Sequence, residues 1–174
     1  VLKKFAGKRS MLDFQLLRLL KKFEKKNIIV ATTKLNQDNK ICLIAKRNKV
    51  KFFRGSENNL LKRYLDCANK FNIKNIVRIT SDCPLIDPML IKKMLKLFFK
   101  KKIDYFANTL PISKSTFPDG SDIEIFKLNS LLKVYKIAEN KSDKEHVTNL
   151  FWKNKKFFKS DIIKNKKNLS RYRF

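Results

Sequence analysis

"IVRITSDCPLIDP", residues 76–88, places a strand, a carboxylate and a helix start side by side. Ile76, Val77 and Ile79 form a short β-branched run, which predicts a buried strand over residues 76–80. Asp87-Pro88 predicts a helix start, with aspartate as the cap and proline in the first helical position. Asp82 stands between the two, where the strand runs out. A turn former and a carboxylate that holds a ligand both suit that spacing.

The same alternation continues on both sides. Ser10 with Asp13 reads as a capping box, followed by Leu12, Leu16, Leu19, Leu20 and Phe23 at helical spacing. Strands are predicted at 27–33, 50–53 and 103–108, and helices over 38–47 and from Pro88 through Phe98. Between strands, Arg54 to Glu57 reads as a turn with Ser56 as the cap. The helix that follows shows Leu60, Leu61, Tyr64, Leu65, Ala68 and Phe71 on one face. A new strand begins roughly every 22 to 26 residues, the rhythm of βαβ units and a parallel sheet. The stretch 109–120, "TLPISKSTFPDG", has two prolines and a glycine and predicts a long loop of the kind that is often functional. Beyond it, "SDIEIF" predicts a strand with Ile123 and Ile125 on one face and Asp122 and Glu124 on the solvent face. Helices are expected over 129–138 and along "SDKEHVTNLFW" with Ser142 as cap, and a last strand near 157–163.

The 174 residues suffice for a single domain with a core, and 43% of them are hydrophobic, which argues against global disorder. No segment approaches the ~20 apolar residues of a membrane span, and the first residues lack the apolar core of a signal peptide. A start without methionine suggests a chain cut from something longer. The cysteines Cys42, Cys67 and Cys83 are odd in number and never spaced CxxC. They predict buried thiols in a cytoplasmic protein rather than disulfides or a zinc site. The net charge of +27 comes mostly from scattered lysines, alongside abundant Asn, Ile and Phe. AT-rich coding gives that bias, so solvated surface is the reading preferred over nucleic-acid binding.

In an open parallel sheet, ligands bind beyond the carboxyl ends of the strands. If the strands before Arg54 and Asp82 are adjacent, the Arg54-Gly55-Ser56 turn and Asp82 face one crevice. A carboxylate there suits Mg²⁺, which takes one or two protein carboxylates and completes its shell with water and phosphate oxygens.

"VKFFRGSENNLLKRY", "IVRITSDCPLIDP", "TFPDGSDIEIF" and "DKEHVT" occur in that order and resemble the cytidylyltransferase family of the spore-coat polysaccharide biosynthesis type, related to acylneuraminate cytidylyltransferases. The resemblance covers nearly the whole chain. It implies an α/β, Rossmann-like nucleotide-diphosphosugar transferase fold with a mostly parallel sheet. It implies transfer of a cytidylyl group from CTP to a sugar or sugar acid, with Mg²⁺, for surface polysaccharide or glycan synthesis. By the same resemblance Asp82 is the catalytic metal ligand, and Arg54, Gly55 and Ser56 lie near the nucleotide. Asp119, Gly120, Asp122, Glu124, Glu145 and His146 lie on the substrate side. Asn58 and Asn59 depart from two acids usual in the family, and Lys144 replaces a commoner arginine. The family's first strand with its phosphate loop is expected to precede Val1, and a second metal aspartate to follow Phe174. The chain is then an internal piece, inactive alone, with a hydrophobic sheet edge exposed.

Two other readings stand beside this one. A glycosyltransferase of the same architecture uses its metal aspartate to grip a nucleotide-sugar. A basic nucleic-acid-binding module needs clustered basic and aromatic faces, and no stacking or zinc motif supports it. His146, the one histidine, reads as a hydrogen-bonding or packing residue, and Cys83 as strand-end packing. A homodimer is left open.

Overall fold

The computed structural model describes residues 1–5, 7 and 9–174. A small antiparallel ribbon, β1 (Lys4–Phe5) and β2 (Arg9–Ser10), precedes α1 (Met11–Leu20); the sequence patterning gave no sign of it. The Ser10 hydroxyl caps α1, accepting from the Asp13 amide at 3.2 Å. Leu12, Leu16 and Leu19 bury its apolar face. β3 (Ile29–Thr33) and β4 (Lys51–Gly55) pair in parallel, joined through α2 (Asn39–Arg47). Then come α3 (Leu60–Lys70), β5 (Asn75–Arg78), α4 (Pro88–Lys101) and β6 (Tyr105–Ala107). β7 (Glu124–Lys127), α5 (Leu128–Ile137), α6 (Lys141–Glu145), α7 (Asn149–Lys153) and β8 (Ser160–Ile162) complete the order.

The strands form two principal sheets. One is β3 with β4; the other runs β5-β7-β6-β8. β6 and β8 are parallel, while β7 runs against both neighbours. The reason lies in the stretch 109–120. It holds only a 3₁₀ turn at Ile112–Lys114 and a cis Leu110-Pro111 bond. With no helix to cross the sheet, the chain re-enters beside β6 in the opposite direction. β3 and β5 each pair along one edge only among the described residues.

Hydrophobic clusters cover both faces of the larger sheet. Tyr105 and Phe126 point to one, with Leu61, Leu65, Leu131 and Phe151. Phe106 and Ile125 point to the other, with Ile86, Ile91, Met94 and Phe98 from the α4 side. Successive residues of β6 thus feed opposite clusters, as strand geometry requires. Each fully buried aromatic or aliphatic side chain contributes about 1.5–3 kcal/mol. α1 belongs to both sheets: Leu19 packs with Ile86 and Ile91, whereas Leu12 and Leu16 pack with Ala45 and Val50.

Several boundaries differ from the sequence reading. β4 continues through Arg54 and Gly55, which pair with Thr32 and Thr33, so only the residues after Gly55 turn. Asn59, not Ser56, caps α3, accepting from the Lys62 amide at 2.8 Å. β5 stops at Arg78, because the Thr80 carbonyl is taken by the Cys83 amide and a side chain of α1. "SDKEHVTNLFW" splits into α6, capped by Asn140, and α7, with Val147 and Thr148 buried at the break. β4 and β5 are not adjacent strands.

Candidate functional site

Asp82 is exposed in the loop that follows β5. Its neighbour Cys83 is buried and turned inward. The Cys83 thiol lies 3.8 Å from Asp82 Oδ1 and 3.5 Å from Asp122 Oδ2, so one sulfur spaces two carboxylates. Thr80 Oγ1 sits 3.1 Å from the same sulfur. Burial pushes the Cys83 thiol up to about 11, which leaves it a neutral spacer rather than a nucleophile, as expected.

Asp122 is half-buried and well held. Thr109 donates its hydroxyl to Oδ1, and the Gly120 amide donates to Oδ2 at 3.2 Å. Gly120 has φ +85, a left-handed conformation, and a Cβ there would meet the Phe174 carbonyl oxygen at 3.0 Å. Asp119 faces outward and pairs with Arg173 at 3.2 Å, while its backbone bonds those of Tyr172 and Phe174. The "PDGSD" turn and the final residues are therefore laced together beside Asp122.

Glu124 corrects the expectation of a solvent-facing carboxylate, being only 1% exposed. β7 is an inner strand covered on both faces, so its alternation of acid and apolar residues did not mean solvent. Glu124 ion-pairs with Arg78 of β5 and accepts from the Tyr105 hydroxyl of β6 at 2.7 Å. Three strands thus meet at one buried polar node. Burial works against the Arg78 charge, but adjacent Glu124, together with Tyr64 and Tyr105, more than offsets this and raises its pKa. Burial and the same carboxylate also raise Tyr105.

Arg54 spends its guanidinium on the protein. Nε donates to the Thr33 carbonyl at 2.9 Å, Nη2 to the Leu35 carbonyl at 2.7 Å and Nη1 to Asn39 Oδ1 at 2.8 Å. It clamps the β3–α2 connection. Asp38, in that connection, accepts from both Thr32 and Thr33 hydroxyls and from the Thr33 amide. Gly55 is small because a Cβ would lie 2.7 Å from the Phe53 ring and 2.8 Å from Arg63 Cγ. Arg63, which the sequence reading did not single out, crosses over Gly55 and donates to the Ser56 carbonyl at 2.9 Å. Its Nε is buried without a partner, and burial lowers its pKa. Gly55 was read as a turn glycine; its place within β4 is what brings Arg63 so close.

Glu145 and His146 are exposed at the end of α6, which packs on α3. His146 closes that helix, its amide donating to the Ser142 carbonyl at 2.8 Å. No described contact joins the pair to Asp82.

The described residues contain no cluster of three or more His, Cys, Asp or Glu suited to a metal. Asp82 has no cation within ion-pair distance among them, and Asp122 stands across the Cys83 sulfur from it. One free carboxylate with a second nearby is a hard-oxygen donor set. It fits Mg²⁺, which needs few protein ligands when phosphate and water supply the rest. No described helix is long and apolar enough to cross a membrane.

A family model described as cytidylyltransferase matches residues 1–173. The solved structure of a cytidylyltransferase from Leptospira borgpetersenii serovar Hardjo-bovis superposes with a TM-score of 0.93 at 38% identity, covering 99% of this chain and 72% of that one. An uncharacterized protein of Methanocaldococcus jannaschii is 35% identical over 153 residues, 88% of this chain and 60% of its own length. The spore coat polysaccharide biosynthesis protein SpsF of Bacillus subtilis is 27% identical over 127 residues, 72% of this chain and 50% of its own length. The chain therefore spans half to three-fifths of the curated relatives it matches.

Proposed function

The chain belongs to the cytidylyltransferase family, and from that membership we propose that the full-length protein transfers a cytidylyl group from CTP to a sugar or sugar acid. The observation that favours this reading is the free Asp82 carboxylate at the carboxyl end of β5, with Asp122 beside it. Such strand ends are where α/β sheets receive nucleotides. In the reaction an acceptor hydroxyl attacks the α-phosphorus of CTP. The bond from that phosphorus to the pyrophosphate oxygen breaks, and the hydroxyl proton passes to solvent. When bound, Mg²⁺ supplies neutralisation of the charge that gathers on the phosphate oxygens. Asp82, with Asp122 at its side, would hold it. Arg54 acts indirectly, since its donors fix the β3–α2 connection. Glu124 likewise acts by holding three strands in register.

The test is release of pyrophosphate from CTP by the full-length protein, with Mg²⁺ and a panel of sugars and sugar acids. Asp82→Asn keeps shape and acceptor but removes charge. It is expected to melt close to wild type while turnover falls by about 10²-fold or more. Asp82→Glu is expected to fail too, because one added methylene displaces the ion. An Asp82→Asn protein that melts far lower but keeps its activity per folded molecule would make Asp82 structural. A full-length protein that instead consumes a nucleotide-sugar would favour the glycosyltransferase reading.

A further inference from the structure

We propose that α1 sets the geometry of the Asp82 loop, with Gln15 and Arg18 as positioning residues; this rests on the reading of Asp82 given above. Gln15 is buried, 4% exposed, on a helix face otherwise made of Leu12, Leu16 and Leu19. Its Nε2 carries two hydrogens and uses both on the loop. One goes to the Thr80 carbonyl and one to the Cys83 carbonyl, each at 2.8 Å. Those two carbonyls bracket Ser81 and Asp82. One turn further along α1, Arg18 Nε donates to the Ile86 carbonyl at 2.9 Å and Nη2 to the Leu85 carbonyl at 3.3 Å.

Four backbone carbonyls in residues 80–86 thus end on two side chains of one helix. This loop has left the β-ladder, so its buried carbonyls need other donors. An aliphatic residue at position 15 would pack as well but leave each of those two carbonyls with only a backbone partner within the loop, the Cys83 amide on Thr80 at 3.2 Å and the Ile86 amide on Cys83 at 3.4 Å. The chain after the loop is fixed separately, where Asp87 accepts from the Met89 amide at 2.8 Å. α1 is itself anchored on its other side. Asp13 accepts from Asn48 at 2.7 Å and pairs with Arg47 at 3.1 Å, both at the end of α2. The β3–β4 unit therefore reaches the Asp82 carboxylate through α2 and α1. A carboxylate that must meet an ion and a phosphate in one geometry gains from backbone held on both sides of it.

The Cys83 thiol reports this directly, since it is buried in the clamped loop, while Cys42 and Cys67 are buried elsewhere. In the full-length protein, Gln15→Leu keeps the volume and removes both donors. Iodoacetamide labelling mapped cysteine by cysteine should then show Cys83 reacting about tenfold faster, with Cys42 and Cys67 unchanged. The Mg²⁺ concentration for half-maximal turnover should rise several-fold, with KM for CTP little changed. Arg18→Met, on the more exposed part of the contact, should give a smaller change of the same kind and serves if Gln15→Leu does not fold. Asn48→Leu loosens α1 from α2 but leaves both Gln15 donors on the loop, and should accelerate Cys83 less than Gln15→Leu does. Equal acceleration of all three cysteines in Gln15→Leu, or an unchanged Cys83 in both variants, would overturn the proposal. So would a faster Cys83 with an unchanged Mg²⁺ requirement. A wild type that never turns over CTP would instead remove the catalytic reading, and the Cys83 rates alone would then decide whether α1 holds the loop.

Discussion

Arg54 at the carboxyl end of β4 and Arg78 at the carboxyl end of β5 meet the same problem in opposite ways. Arg78 is mostly buried and faces Glu124, so charge meets charge in the middle of a four-stranded sheet. Arg54 meets two carbonyls and one amide oxygen, all neutral, in a two-stranded sheet. The first arrangement cancels the charge and locks three strands. The second keeps a net positive charge at the sheet's rim and orders a connection. Both arginines lie in strings that carry the family resemblance, which puts Arg54 near the nucleotide and gives Arg78 no role, and the strings alone do not say which of them meets an anion. Desolvation separates them. Arg78 needs an anion because water cannot reach it freely, whereas Arg54 is partly solvated and needs only geometry.

The largest effect expected from this contrast is at Glu124. Glu124→Gln leaves Arg78 charged and buried with no counter-ion and should destabilise the protein by about 3–5 kcal/mol, read by urea unfolding. If the loss is under about 1 kcal/mol, water reaches Arg78 and the two arginines are alike after all. A smaller effect is expected at Arg54. Arg54→Lys keeps the charge but not the three-way fork, and should cost roughly 1–2 kcal/mol. Exchange of the amides in residues 33–39 should accelerate while those of β6 and β7 stay protected. Loss of protection throughout would mean that Arg54 supports the whole sheet.

The smallest effect concerns Asp104, which joins the strand ends at the opposite side of the larger sheet. Burial raises its pKa, but the Lys159 amide, the Ser130 hydroxyl and Lys127 together bring it below the usual value of 3.8. Its folded pKa is therefore depressed. The stability it adds is present above about pH 4 and lost as pH falls through the folded value. Asp104→Asn should melt slightly below wild type at pH 6, with the two melting temperatures converging as the pH is lowered below about 4. A constant gap across that range would assign the loss to packing rather than to charge.

Much of the local structure was legible in short strings. The Ser10 cap, the Asp87-Pro88 start, the apolar face of α3 and the βα alternation through β6 all depend on neighbours within a few residues, and each appears as read. The errors occur where distant residues decide. Arg54 and Gly55 extend β4 because Thr32 and Thr33 lie alongside to pair with them. Ser56 yields the cap to Asn59, since Ser56 accepts instead from the Asn59 amide at 3.1 Å. Glu124 alternates with isoleucines in a pattern that ordinarily means one wet face, yet strands and helices packed around β7 leave it none.

The sequence by itself determined the α/β alternation, the buried thiols and the exposed carboxylate of Asp82 at a strand end. These follow from propensity, capping and periodicity, which act over a turn or a strand. The tertiary structure alone decided that β7 runs antiparallel between β5 and β6, and that Glu124 belongs to Arg78. It also decided that Asp122 shares the Cys83 sulfur with Asp82, and that Gln15 reaches across 65 residues to the carbonyl of Thr80. Such pairings depend on which buried donors and acceptors are left over once the elements pack. That remainder is a property of the assembled fold, because a buried polar group takes whatever partner the packing brings within reach.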